Sequence, residues 1–155
     1  MLTITEKLQD FSNMKQEIFT NSPEETEKIA NEFALTIDNG KSEFIAMFGD
    51  LGVGKTAFVR GLARVLAPDA RVKSPTFTIV NEYKGGKIPF YHFDVYRIND
   101  DDELYAMGFD DYVQNGICVV EWSENIPDSI PYDAYKVTIE RVAENENSRK
   151  ITIER

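Results

Sequence analysis

The chain is poor in the residues that staple, anchor or export a protein. Its 155 residues include one cysteine, Cys118, so no internal disulfide can form. The neighbours in Ile117-Cys-Val-Val120 are apolar, which reads as a small buried hydrophobe rather than a nucleophile and suits a reducing cytoplasm. No apolar stretch approaches the roughly 20 residues that cross a bilayer, so no membrane role is expected. The first ten residues lack the basic start and apolar centre of a secretion signal. Positive charge is also scarce. The net charge is −10, and no basic residue occurs between Arg97 and Lys136. Sequence-independent grip on nucleic acid needs clustered Lys and Arg, so direct binding of that kind is not expected. Acids recur instead at 100–103, 110, 111, 121, 124, 128 and 133. They read as a solvated face with helix-start acids at Asp100 to Glu103, or as a surface for a basic protein partner. No Asn-Lys-x-Asp guanine motif occurs, which argues against a GTP-dependent switch.

What is present is an ordinary globular composition, 42% hydrophobic and 28% charged. A chain this long forms one domain and buries about 70% of its extended surface. At its centre lies the phosphate-binding loop pattern G-x-x-x-x-G-K-[ST], spelled by Gly49, Asp50, Leu51, Gly52, Val53, Gly54, Lys55 and Thr56. A strand-like run, Glu43 to Phe48, precedes it. A helical pattern from Ala57 to Ala67 follows, with Phe58, Leu62, Val65 and Leu66 on one face. The glycines permit turns that a Cβ would forbid and let the chain approach a ligand closely. Loop amides and the start of the following helix near Gly54 make a nest for anions. Lys55 is expected at the β- and γ-phosphates of ATP, and Thr56 on Mg2+.

The remaining pattern gives an α/β, P-loop NTPase-like mixed sheet flanked by helices, with antiparallel hairpins. Residues 1–16 read as an N-terminal extension and 17–155 as a single domain. Glu17 to Thr20 is a short strand. Ser22-Pro-Glu-Glu25 starts a helix, with Ser22 as cap, Pro23 in the first turn and Glu25 closing a capping box. Thr26, Ile29, Ala30, Phe33 and Ile37 share its inner face, and Asn39-Gly40 ends it. Thr78 to Tyr83 and Ile88 to Phe93 flank Lys84-Gly-Gly-Lys87 as a hairpin. Two short helices fall within 100–114, and a buried strand runs from Gly116 to Val120. Strands at Tyr135 to Val142 and Lys150 to Glu154 are joined by a turn at 144–148.

Hydrolysis also needs acids near the metal and the attacking water. Asp94 and Glu121 each follow an apolar strand and are the two candidates. Either one binds Mg2+ while the other positions the nucleophile; an acid facing solvent or a nearby Arg is the plain alternative. Thr76 is a candidate switch residue on the γ-phosphate side, or only shapes the strand entry with Pro75. The single histidine, His92, is expected to be packed and hydrogen-bonded. Trp122 and Tyr96 are expected as core or pocket walls. Arg97 is an arginine finger or a buried partner for a carboxylate.

Gly49 to Thr56, Ser74-Pro-Thr-Phe77, His92-Phe-Asp-Val-Tyr-Arg97 and Glu121-Trp122, in that order, resemble the TsaE (YjeE) family of small bacterial ATPases. The resemblance covers roughly 17–155. Residues 1–16 lie outside it, and Ser123-Glu124 stands where the family usually has Pro. It implies a Mg-dependent ATPase, weak alone and stimulated by partners, that serves threonylcarbamoyladenosine synthesis on tRNA in the cytoplasm. It would act on TsaB- and TsaD-like proteins and touch tRNA only indirectly. By position, residues 50–55 would wrap the phosphates, Thr56 and Glu121 would bind Mg2+, and Asp94 would support hydrolysis. Ser22 to Thr26 would border the adenine, and Arg149, before the last strand, would lie near the nucleotide. A small-molecule kinase is the rival reading. Its usual arginine-bearing lid is missing from residues 98–133.

Overall fold

In the computed structural model, which describes residues 15–155, seven strands form one mixed sheet. They are β1 (Gln16–Thr20), β2 (Glu43–Phe48), β3 (Val80–Tyr83), β4 (Phe90–Asp94), β5 (Ile117–Glu121), β6 (Tyr135–Val142) and β7 (Asn145–Glu154). The helices are α1 (Pro23–Thr36), α2 (Lys55–Leu66), α3 (Asp101–Ala106) and α4 (Phe109–Asn115). Sheet order is β1-β7-β6-β2-β5-β4-β3. The inner pairs β6–β2, β2–β5 and β5–β4 are parallel; β1–β7, β7–β6 and β4–β3 are antiparallel. Of the expected extension, residues 1–14 lie outside the described residues, and Gln16 already pairs with Ile153.

The sheet separates two cores because successive strand residues point to opposite faces. On β2, Ile45 and Met47 join Phe33, Phe58 and Leu62 under α1 and α2. Phe44 and Ala46 join Leu104, Phe109 and Phe93 under α3 and α4. β5 divides likewise, with Ile117 and Val119 on the first face and Cys118 and Val120 on the second. Both faces are covered, which is why these parallel strands read as unbroken apolar runs. Cys118 is fully buried, and burial pushes its thiol up to about 12. It is a core side chain.

Local chemistry sets the helix starts. Ser22 accepts from the Glu25 amide at 3.1 Å, and Glu25 reaches back to the Asn21 amide at 2.6 Å. Such a cap contributes about 1 kcal/mol. α1 ends at Thr36, earlier than Asn39-Gly40, because Ile37 turns extended and buries its side chain. α1 and α2 meet at Gly61. A Cβ there would stand 2.2 Å from the Glu27 carbonyl oxygen, so only glycine permits the approach. Asp100 caps α3, and Asp101 to Glu103 fill its first turn, as the acids suggested.

The β6–β7 hairpin departs from the sequence reading. β7 begins at Asn145, and the turn is only Ala143-Glu144. Asn145 to Ser148 have turn-like composition, yet Val142 pairs with Asn145 across a bulge at Arg141/Val142. Arg149 holds the irregular stretch by donating to the Glu146 and Ser148 carbonyls.

Candidate functional site

β2 ends at the sheet's carboxyl edge, the chain turns through residues 49–54, and α2 begins at Lys55. Ligand crevices of open α/β sheets lie outside this edge. Gly49, Gly52 and Gly54 have φ of 143°, 77° and 107°, values that side chains rarely tolerate. Gly49 is also pressed against β6, where a Cβ would stand 2.5 Å from the Ile139 carbonyl oxygen. Val53 points into the core with 2% exposure and anchors the loop.

A cavity of about 610 Å3 opens above the loop. Leu51, Gly52, Gly54, Lys55 and Thr56 of the loop and its helix line it, together with Thr76, Asp94 and Glu121. Gly49, Asp50 and Val53 do not line it. The two acids stand together because β4 and β5 are parallel neighbours in a register that pairs Asp94 with Glu121. His92 lies one step back on the same face, and its Nε2 meets Glu121 Oε2 at 2.5 Å. An ionised Glu121 only accepts, so His92 Nε2–H donates. Its Nδ1 is buried with no partner. His92 is fully buried, which agrees with the packed, hydrogen-bonded role expected of it.

Lys55 Nζ donates to the Gly49 carbonyl and lies 3.4 Å from the centre of the Trp122 ring. Burial lowers its pKa below the usual lysine value. The Glu124, Glu121, Asp94 and Asp50 carboxylates oppose that shift and favour the ammonium. Glu124 also accepts from the Gly49 amide at 3.3 Å. Burial raises the Asp94 carboxyl above its ordinary range, and Glu121 adds to this; the Tyr96 amide, His92 and Lys55 act the other way. Two strained residues close the walls. Trp122 and Ile79 have φ of 64° and 67°, and left-handed backbone is costly for a β-branched Ile.

Other expected residues take different places. Ser22 caps α1, and Thr26 bonds Thr20 Oγ1 at 2.9 Å under the sheet edge. From that segment Pro23 reaches the cavity, and neither Ser22 nor Thr26 lines it. Arg149 lies within β7 rather than before it, does not line the cavity, and donates to the Val53 carbonyl at 2.9 Å. Tyr96 and Trp122 are cavity walls. Arg97 is exposed at the mouth with its guanidinium over the Phe77 ring, so it is not a buried carboxylate partner.

Sequence reading missed Arg60 and Arg141. Arg60 lines the cavity and donates to Glu27 at 2.8 Å. Helix phase could have found it, since Thr56 and Arg60 are four residues apart on one face. Arg141 carries no local signal, because its role depends on which strand lies beside the loop.

A strand, a glycine loop and a helix at the parallel centre of a mixed sheet, faced by two strand-end carboxylates, define a P-loop-type α/β protein. The family model described as "Threonylcarbamoyl adenosine biosynthesis protein TsaE" matches residues 20–151, and the chain belongs to that family. It is 41% identical over 134 residues to the tRNA threonylcarbamoyladenosine biosynthesis protein TsaE of Bacillus subtilis, covering 86% of this chain and 81% of that one. The protein of the same description from Aquifex aeolicus is 39% identical over 143 residues, covering 90% and 96%. Among solved structures, the crystal structure of Bacillus subtilis YdiB superposes with a TM-score of 0.70 at 33% identity, covering 91% of this chain and 85% of that one.

Proposed function

We propose that this protein is a Mg-dependent ATPase that serves the threonylcarbamoyladenosine modification of tRNA by acting on TsaB- and TsaD-like partner proteins. One observation carries the reading: the phosphate-loop residues Lys55 and Thr56 share a single cavity with Asp94 and Glu121. The amides of Gly52 and Gly54 and the ammonium of Lys55 bind the triphosphate. Thr56 and Glu121 supply a hydroxyl and one carboxylate, the hard oxygen donors that suit Mg2+ when phosphate and water complete the shell. When bound, Mg2+ neutralises phosphate charge. His92 holds Glu121 in place. Asp94, held above the ordinary carboxylate range, orients the attacking water and is suited to take its proton. Loose phosphoryl transfer asks mainly for such positioning and charge stabilisation.

The negative net charge agrees with control through protein partners rather than direct grip on tRNA. No described helix is long and apolar enough to cross a membrane. The test measures phosphate release from Mg-ATP by the protein alone and with TsaB- and TsaD-like proteins. Slow release that rises with partners, and is lost in Lys55→Ala and Glu121→Ala, is expected. Release that persists in Lys55→Ala, or phosphate delivered to a metabolite, would contradict it.

A further inference from the structure

The phosphate loop is gripped by the β6–β7 hairpin. Arg141 in β6 and Arg149 in β7 are register partners beside the bulge in this ladder. Arg141 Nη2 donates to the Leu51 carbonyl at 2.7 Å, and Arg149 Nε to the Val53 carbonyl at 2.9 Å. Arg149 is itself fixed, because Nη1 donates to the Glu146 and Ser148 carbonyls at 2.7 and 2.8 Å. Neither arginine lines the cavity.

The consequence follows from peptide geometry. In a trans peptide the carbonyl of one residue and the amide N–H of the next point in opposite directions. No cis bond occurs among the described residues. Fixing the Leu51 and Val53 carbonyls on the arginines therefore turns the N–H groups of Gly52 and Gly54 the other way. Both glycines line the cavity. Left to themselves, residues at φ of 77° and 107° without side chains sample several peptide orientations. Contact is close enough to enforce one: a Cβ on Gly52 would stand 3.2 Å from Arg141 Nη2.

We propose that Arg141 and Arg149 are positioning residues that preset the Gly52 and Gly54 amides for a phosphate chain without touching it. The inference rests on the phosphate-binding reading of the loop and adds how that loop is kept ready. Each guanidinium also sits at the carbonyl end of a peptide, where its charge strengthens the opposite N–H as a donor. The hairpin thereby couples loop geometry to strands β6 and β7.

Calorimetric titration with Mg-ATP, inorganic tripolyphosphate and adenosine tests this on the full chain. Arg149→Ala is expected to weaken both phosphate ligands on the order of tenfold and to leave adenosine unchanged. Arg141→Ala shifts them in the same direction by less, since its guanidinium makes one contact and is exposed; it also carries the test should Arg149→Ala fold poorly. Arg149→Lys recovers little, because an ammonium does not reproduce the planar fork across three carbonyls. Unchanged affinity for both phosphate ligands, an equal loss for adenosine, or full recovery with Lys would overturn the proposal. Wild-type protein that takes tripolyphosphate but not ATP would overturn the ATPase reading and leave the bracing intact.

Discussion

Replacing His92 by leucine removes the side-chain donor that meets the Glu121 carboxylate among the described residues. Leucine has nearly the same bulk, so packing beside Tyr83 changes little. Glu121 is 4% exposed and stands beside Asp94 in the sheet register. A hydrogen bond to a charged group contributes about 1.5–3 kcal/mol. Stranding a fully buried charge costs about 3–5 kcal/mol. Glu121 lines an open cavity, so water softens the loss towards the lower range. His92 Nδ1 has no partner, and its removal returns a little. The net expectation for His92→Leu is a loss of about 2 kcal/mol. His92→Gln keeps a donor where Nε2 stood and loses no more than about 1 kcal/mol. Urea denaturation at neutral pH measures both. A leucine variant within about 0.5 kcal/mol of wild type, or a glutamine variant as damaged as leucine, would refute the bond's role.

Three further outcomes follow from the geometry. Asp94→Asn should raise the melting temperature of the ligand-free protein at neutral pH, because the folded state raises this carboxyl's pKa mainly by burial. A raised acid binds more protons when folded, so stability falls as pH rises through the window above the unfolded Asp value; the variant's advantage is complete above the folded pKa and vanishes below the ordinary Asp range. Gly61→Ala should cost about 2 kcal/mol in a thermal melt, since the new Cβ would meet the Glu27 carbonyl oxygen at 2.2 Å and helix propensity returns only part of that. Glu124→Gln should tighten ATP binding several-fold in a titration, because the Glu124 carboxylate acts on the Lys55 ammonium and competes with phosphate for its charge.

The loop, its strand and its helix were legible because all their signals are local: a glycine pattern, an apolar run and a helical stripe within 24 residues of chain, 43–66. The two acids were legible as strand ends, but their adjacency was not, since it depends on β4 and β5 being parallel neighbours. The same holds for His92, whose partner lies 29 residues away. The placement of β6 beside β2 is a long-range choice with no sequence mark. It explains why neither the bond of Arg141 to Leu51 nor that of Arg149 to Val53 is legible in the sequence. The turn before β7 was misplaced because Asn145 to Ser148 have loop composition, while side-chain bonds from Arg149 and the pairing with β6 hold them as strand.

The most direct measurement is a crystal structure with Mg2+ and a non-hydrolysable ATP analogue. The triphosphate is expected inside residues 49–56, with Lys55 withdrawn from the Gly49 carbonyl and Mg2+ on Thr56 and Glu121. A nucleotide bound elsewhere, or a loop that stays empty at saturating analogue, would contradict it.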